Sequence, residues 1–108
     1  MPTTQFTVPL QGSPTDRYRH YHVFEKGAIT TFTMQYEAEI DEQWRAIVRY
    51  DTAHGRPHKD LLHPDSAATK EEFPHYTNAE VLTIGQDDIR KNWKKYRAQY
   101  EKEMRRLK

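Results

Sequence analysis

From Thr31 to Asp41 polar and apolar residues alternate without a break. Phe32, Met34, Tyr36, Ala38 and Ile40 fall on one side, and Thr33, Gln35, Glu37 and Glu39 on the other. A period of two sustained this long predicts an antiparallel strand with one face on a core and the other toward water or a partner. The next stretch continues the pattern. Trp44, Ala46, Val48 and Tyr50 share one face, and Arg45, Ile47, Arg49 and Asp51 share the other, with Asp41-Glu42-Gln43 as the hairpin connection. Upstream, Arg17 to Phe24 reads as a strand with Tyr18, His20, His22 and Phe24 on one side, ending at the turn Glu25-Lys26-Gly27. Downstream, His54-Gly55-Arg56-Pro57 turns the chain into a short strand from His58 to about Leu62. Pro57 lacks an N–H and suits the start of that strand.

The period changes near the C-terminus. Val81, Gly85, Ile89, Trp93, Tyr96, Tyr100, Met104 and Leu107 recur every three or four residues, which is an amphipathic helix stripe. Thr77 or Asn78 can cap it, and Glu80 in the first turn suits the helix dipole. Gly85 weakens the helix by up to about 1 kcal/mol relative to Ala, so a break there, with Asp87 or Asp88 restarting the helix, fits the pattern. Residues 65–77 are polar and read as a loop with a strand fragment near Phe73. Residues 1–17 carry Pro2, Pro9, Pro14 and Gly12 and read as an arm, docked as an edge strand through Phe6, Val8 and Leu10 or disordered. The expected architecture is α+β: an antiparallel β-meander of four or five strands packed by a long C-terminal helix, with residues 18–108 as one domain.

Composition narrows the function classes. A chain of 108 residues supports one modest core. Seven Tyr, four Phe and two Trp must supply much of it, because only 35% of the residues are hydrophobic. The chain has no cysteine, which excludes disulfides and thiolate chemistry. The N-terminus lacks the pattern of a signal peptide, and no run approaches the ~18 apolar residues of a membrane helix. A soluble, cytoplasmic protein without a membrane partner is expected. The net charge of +1 hides an asymmetry: residues 90–108 hold nine Lys or Arg against two Glu, and the remainder is acidic. Such a basic end suits nucleic acid or an acidic partner, or simply a helix C-terminus. Leftover aromatic surface would suit a homodimer.

Candidate chemistry gathers between Arg45 and Pro64. Ordinary turns use Gly, Pro, Asn, Asp and Ser. This one is flanked by Asp51, His54, His58 and Asp60, with Tyr50, Arg49 and Arg56 close by. A hairpin brings the two strand ends together. His54, His58, Asp51, Tyr50 and Asp60 are therefore the candidate catalytic residues, and Arg49, Arg56, Lys94 and Lys95 the candidate substrate contacts. Imidazole and carboxylate can exchange protons near neutral pH, and arginine can hold a phosphate. This is the make-up of a metal-independent, ribonuclease-like site. Two His with one or two Asp can instead hold a divalent ion, but the H-x3-H-x-D spacing matches no established zinc signature, so no cofactor is assigned. The bland alternative has Asp51 and His54 shaping the turn, Asp60 pairing with Arg49 across strands, His63 merely preceding a Pro turn, His20 and His22 at the surface or half-buried, and His75 on a loop surface.

The run Arg49-Tyr50-Asp51-Thr52-Ala53-His54-Gly55-Arg56-Pro57-His58 resembles the YDNAHG-x-PH type of motif of small TumE-like toxins of bacterial and archaeal toxin–antitoxin pairs, and of related small bacterial proteins. Thr52 stands where that motif has Asn, and Lys59-Asp60 follows His58 where the family often has another His. The likeness is specific over about ten residues and loose over residues 30–106. It implies a toxin acting on RNA or translation and a helix-turn-helix antitoxin as partner. By motif match it carries over Tyr50, Asp51, His54 and His58. The competing expectation is a non-catalytic binding or accessory module that engages protein or nucleic acid through the Glu37 and Glu39 face and the Lys-rich helix.

Overall fold

The computed structural model describes residues 2–107. Lys108, counted above with the basic end, lies outside them. The order of elements is β1 (Thr3–Pro9), β2 (Asp16–Glu25), β3 (Ala28–Ile40), β4 (Gln43–Asp51), β5 (His58–Leu61), β6 (Thr69–Glu72) and α1 (Asn78–Arg106). The six strands form one sheet in strictly sequential order, every neighbouring pair antiparallel. α1 packs across one face, mainly on β3 and β4. The fold is the α+β meander with a C-terminal helix. It has six strands where the sequence suggests four or five, and the strand fragment expected near Phe73 is β6, which ends just before it at Glu72. The N-terminal segment supplies β1, an edge strand paired along its whole length with β2.

Tight turns set the register. Lys26 and Gly27 connect β2 to β3, and Asp41 and Glu42 connect β3 to β4, all four with positive φ. Two left-handed residues give a turn whose twist matches the flanking strands.

Phe32, Met34, Tyr36 and Ala38 of β3 are fully buried beneath the helix residues Val81 and Ile89. Each large side chain buried this way contributes about 1.5–3 kcal/mol. A capping box starts α1: Glu80 N–H donates to Thr77 Oγ1 and Thr77 N–H to Glu80 Oε1. The helix runs unbroken through Gly85. A Cβ there would lie 2.5 Å from Met34 Cε and 2.8 Å from Tyr50 Cγ, so the glycine marks the closest approach of helix to sheet.

Two irregularities change which face a side chain takes. The β3–β4 register shifts between Tyr36 and Glu37, leaving Ile47 as an extra residue on β4. A bulge of this kind inverts the alternation beyond it. Trp44 and Ala46 therefore share the face of Arg49 and Asp51, not that of Tyr50. Trp44 is exposed beneath the guanidinium of Arg17, 3.8 Å away, while Ile47 is fully buried. A second shift between Val23 and Phe24 buries Val23 and exposes Phe24. Glu37 does not face water as expected. It is only 5% exposed, held by Arg17 and Arg19.

Candidate functional site

Strand pairing decides which candidates meet. Asp51 pairs with His58 and Arg49 with Asp60 across β4 and β5, and Tyr50 pairs with Lys59 between them. Side chains alternate, so the first four point to the sheet face that carries no helix, and the other two point beneath α1. On the open face His58 Nε2 lies 3.0 Å from Asp51 Oδ1 and 3.5 Å from Asp60 Oδ2. His58 Nδ1 lies 3.2 Å from the carbonyl oxygen of Arg56. Asp51 Oδ1 also accepts the Ala53 N–H at 3.2 Å, which fastens the turn. Both roles weighed for Asp51, shaping the loop and facing an imidazole, are thus met by one carboxylate.

β6 extends this cluster. It pairs His58 with Glu72 and Asp60 with Lys70. Lys70 Nζ sits 3.2 Å from Asp60 Oδ1. Arg49 turns the other way and donates from Nε to Gln35 Oε1 at 2.7 Å. The open face thus carries two cross-strand rows, Gln35–Arg49–Asp60–Lys70 and Thr33–Asp51–His58–Glu72. Beside them lies a depression of about 720 Å³ lined by Ala53, His54, Arg56, His58, Lys70 and Glu72. His54 has φ 68 at the turn and is exposed, and among the described residues its imidazole makes no hydrogen bond. Thr52, where the motif has Asn, closes the end of the ladder: its Oγ1 accepts the Phe32 N–H at 3.1 Å.

Tyr50 belongs to a different network. Its hydroxyl donates to Asp88 Oδ2 at 2.7 Å, and the same carboxylate accepts from Tyr96 at 2.7 Å and lies 3.4 Å from Lys59 Nζ. Lys59 also donates to the Tyr96 hydroxyl at 2.7 Å. Burial pushes the Asp88 carboxyl up, but the hydrogen bonds from Tyr50, Tyr96 and Asn92 and the charge of Lys59 outweigh it and hold it below the usual carboxylate range. Burial, reinforced by Asp88, drives the Tyr50 phenol well above its ordinary value. The phenol therefore stays protonated at neutral pH. It fastens β4 to the helix.

The structure therefore brings together Asp51, His58 and Asp60, with His54 and Arg56 at the rim of the same depression and Arg49 one row away. It separates Tyr50, Lys94 and Lys95 from them. The two lysines are exposed on α1, on the far side of the sheet. The remaining histidines have other partners. His63 joins Glu103 and Thr69, each at 2.8 Å. His20 lies between Tyr18 and His22, 2.7 Å from each, with Phe6 stacked on its ring. Lys70 and Glu72 are the site neighbours that sequence reasoning missed. Thr69–Glu72 is exposed throughout and has no apolar alternation, so a strand near Phe73 is legible but its register beside β5, which aims these two side chains at the site, is not.

A family described as a domain of unknown function (DUF7718) matches residues 1–106, and the chain belongs to that family. Neither the curated proteins nor the solved structures yielded a match.

Proposed function

We propose that this member of the family is a toxin-like protein that cleaves RNA, with its centre at the open-face depression around His54 and His58. The observation that carries the reading is the imidazole of His54, without a hydrogen bond among the described residues, on the same depression as a second imidazole, His58, that faces Asp51 and Asp60, with Arg56 and Lys70 also lining it. In the proposed reaction His54 takes the proton of the ribose 2′-hydroxyl. O2′ bonds to the neighbouring phosphorus, the P–O5′ bond breaks, and O5′ leaves with a proton from the solvent in the open depression. The products are a 2′,3′-cyclic phosphate and a 5′-hydroxyl end. Arg56 and Lys70 hold the phosphate oxygens as charge builds on them. The likeness of residues 49–58 to TumE-like toxins supports growth arrest as the cellular outcome and an antitoxin as the partner that restrains it.

The test pairs purified full-length chain with His54→Ala on end-labelled RNA and on DNA of the same sequence, with folding followed by circular dichroism. RNA should be cut to cyclic-phosphate ends and DNA, which lacks the 2′-hydroxyl, left whole. The folded variant should be slower by about 10²–10⁴-fold. Intact RNA under wild-type protein, or equal rates for both proteins, overturns the proposal. A second reading, a non-catalytic binding module, is favoured by the uncovered sheet face with its polar rows. RNA retained by the protein without cleavage would support it.

A further inference from the structure

We infer that Asp51, His58 and Asp60 form a binding site for a divalent transition-metal ion, with one imidazole nitrogen and two carboxylate oxygens as ligands. The inference rests on the reading of this cluster as the functional centre, though not on RNA as the substrate.

A backbone carbonyl only accepts hydrogen bonds, so the contact of His58 with Arg56 O requires the proton on Nδ1. Nε2, the other ring nitrogen, faces two carboxylates, 3.0 and 3.5 Å away. A metal ion bonded to all three residues would satisfy the nitrogen and both carboxylates at once.

The distances suit the ion. Metal–ligand bonds of about 2.1 Å put neighbouring ligands about 3.0 Å apart in octahedral and about 3.4 Å apart in tetrahedral geometry. One ligand atom from each of the three residues lies within 4.8 Å of the others. The Nδ1–H to carbonyl contact is the usual support of a metal-bound imidazole, because it fixes the ring and its tautomer. His58 is 9% exposed and Asp60 6%, so two carboxylates and an imidazole face each other largely shielded from water. Lys70 neutralises part of that charge through Asp60 Oδ1 and leaves Oδ2 for the ion. The depression beside His58 gives access and leaves coordination positions for water or a substrate oxygen. A mixed nitrogen and oxygen set favours manganese- or zinc-type ions over magnesium or calcium. Such an ion would also offset the repulsion between these carboxylates and a phosphate.

The test uses Mn2+ alone on full-length, isotope-labelled protein prepared free of metal. Paramagnetic broadening should centre on the amides of residues 51, 58, 60 and 70–72 and be displaced by Zn2+. By calorimetry, His58→Ala and Asp60→Asn should each weaken Mn2+ binding by at least about tenfold, and His75→Ala, in an exposed loop, should leave it unchanged. The broadening map needs no variant, so it decides the matter even where a substitution unfolds the chain. Broadening that is absent at millimolar Mn2+, or centred elsewhere, overturns the inference. Metal bound at these residues without RNA cleavage keeps the site and removes the RNA reading. Cleavage that persists in chelator, with no Mn2+ bound, removes the site and keeps the RNA reading.

Discussion

Gly85→Ala tests how tightly the helix is seated behind the site. Two opposing effects can be sized. Replacing a glycine in a helix interior by alanine gains up to about 1 kcal/mol from backbone entropy. Against this, the added Cβ would lie 2.5 Å from Met34 Cε, 2.8 Å from Tyr50 Cγ and 3.0 Å from Tyr50 Cδ1. Met34 Cε is the end of a flexible chain but sits in a core with no exposed surface. Tyr50 has less freedom, because Cγ joins its ring to β4 and its hydroxyl is tethered to Asp88. Overpacking of this kind costs about 1–3 kcal/mol. The expected net effect is a loss of about 1 kcal/mol, a fall in Tm of roughly 4–8 °C for a domain near this size. Urea unfolding followed by tryptophan fluorescence measures it, with unchanged m-values as the check that the same transition is compared. Ala98→Gly, exposed on the same helix, calibrates the propensity effect alone. If Gly85→Ala is as stable as the wild type or more so, the close approach does not constrain the helix and the reasoning fails.

Acid should unfold the protein through three carboxylates. For Asp16, Glu37 and Asp88 burial alone raises the pKa, but hydrogen bonds and nearby cations outweigh it and leave each below its usual value. Their stabilisation is therefore complete above the unfolded values near pH 4 and is lost as pH falls through the lower folded ones. Asp88→Asn should flatten that acid limb in urea titrations between about pH 2 and 6, and an unchanged slope refutes the assignment. Arg97 donates to Asp16 at 2.9 Å, where the carboxylate side chain is 4% exposed. Arg97→Ala should cost about 2–4 kcal/mol by stranding that charge. Arg97→Ala with Asp16→Asn should recover part of it in the same assay, and equal losses for the single and double variants count against a stranded charge.

What the sequence revealed and concealed follows from the range of each signal. The alternation through β3 and the spacing of three and four along α1 are carried by the side chains themselves, so both elements could be read directly. The bulge opposite Tyr36 and Glu37 is one extra residue in a pairing, and no composition marks it. Simple alternation therefore puts Trp44 on the wrong face. β6 has no apolar alternation of its own, so only the neighbouring Phe73 hints at a strand there, and its extent and register come from its pairing with β5. At the site, Asp51, His58 and Asp60 could be grouped because alternation on two strands around one turn sends them the same way. Tyr50 shows the limit of that logic: next to Asp51 in the chain, it lies on the opposite side of the sheet. Lys94 and Lys95 share only their charge with the site, and charge says nothing about which layer carries it.

The sequential strand order has a kinetic consequence. Each strand pairs with its chain neighbours, so the sheet can grow hairpin by hairpin with little loop-closure entropy at any step. The long-range closures belong to the helix. Asn78 reaches the carbonyl of Ile29 across 49 residues, and Arg97 reaches Thr15 and Asp16 across 82 and 81. Contacts that close so much chain are expected to form late, after the folding barrier, so that a change there accelerates unfolding while refolding keeps its pace. On that expectation the clasp between the second half of the helix and the start of β2 sets how long the molecule stays folded, and a chevron in which Arg97→Ala slowed refolding instead would place that clasp in the folding nucleus.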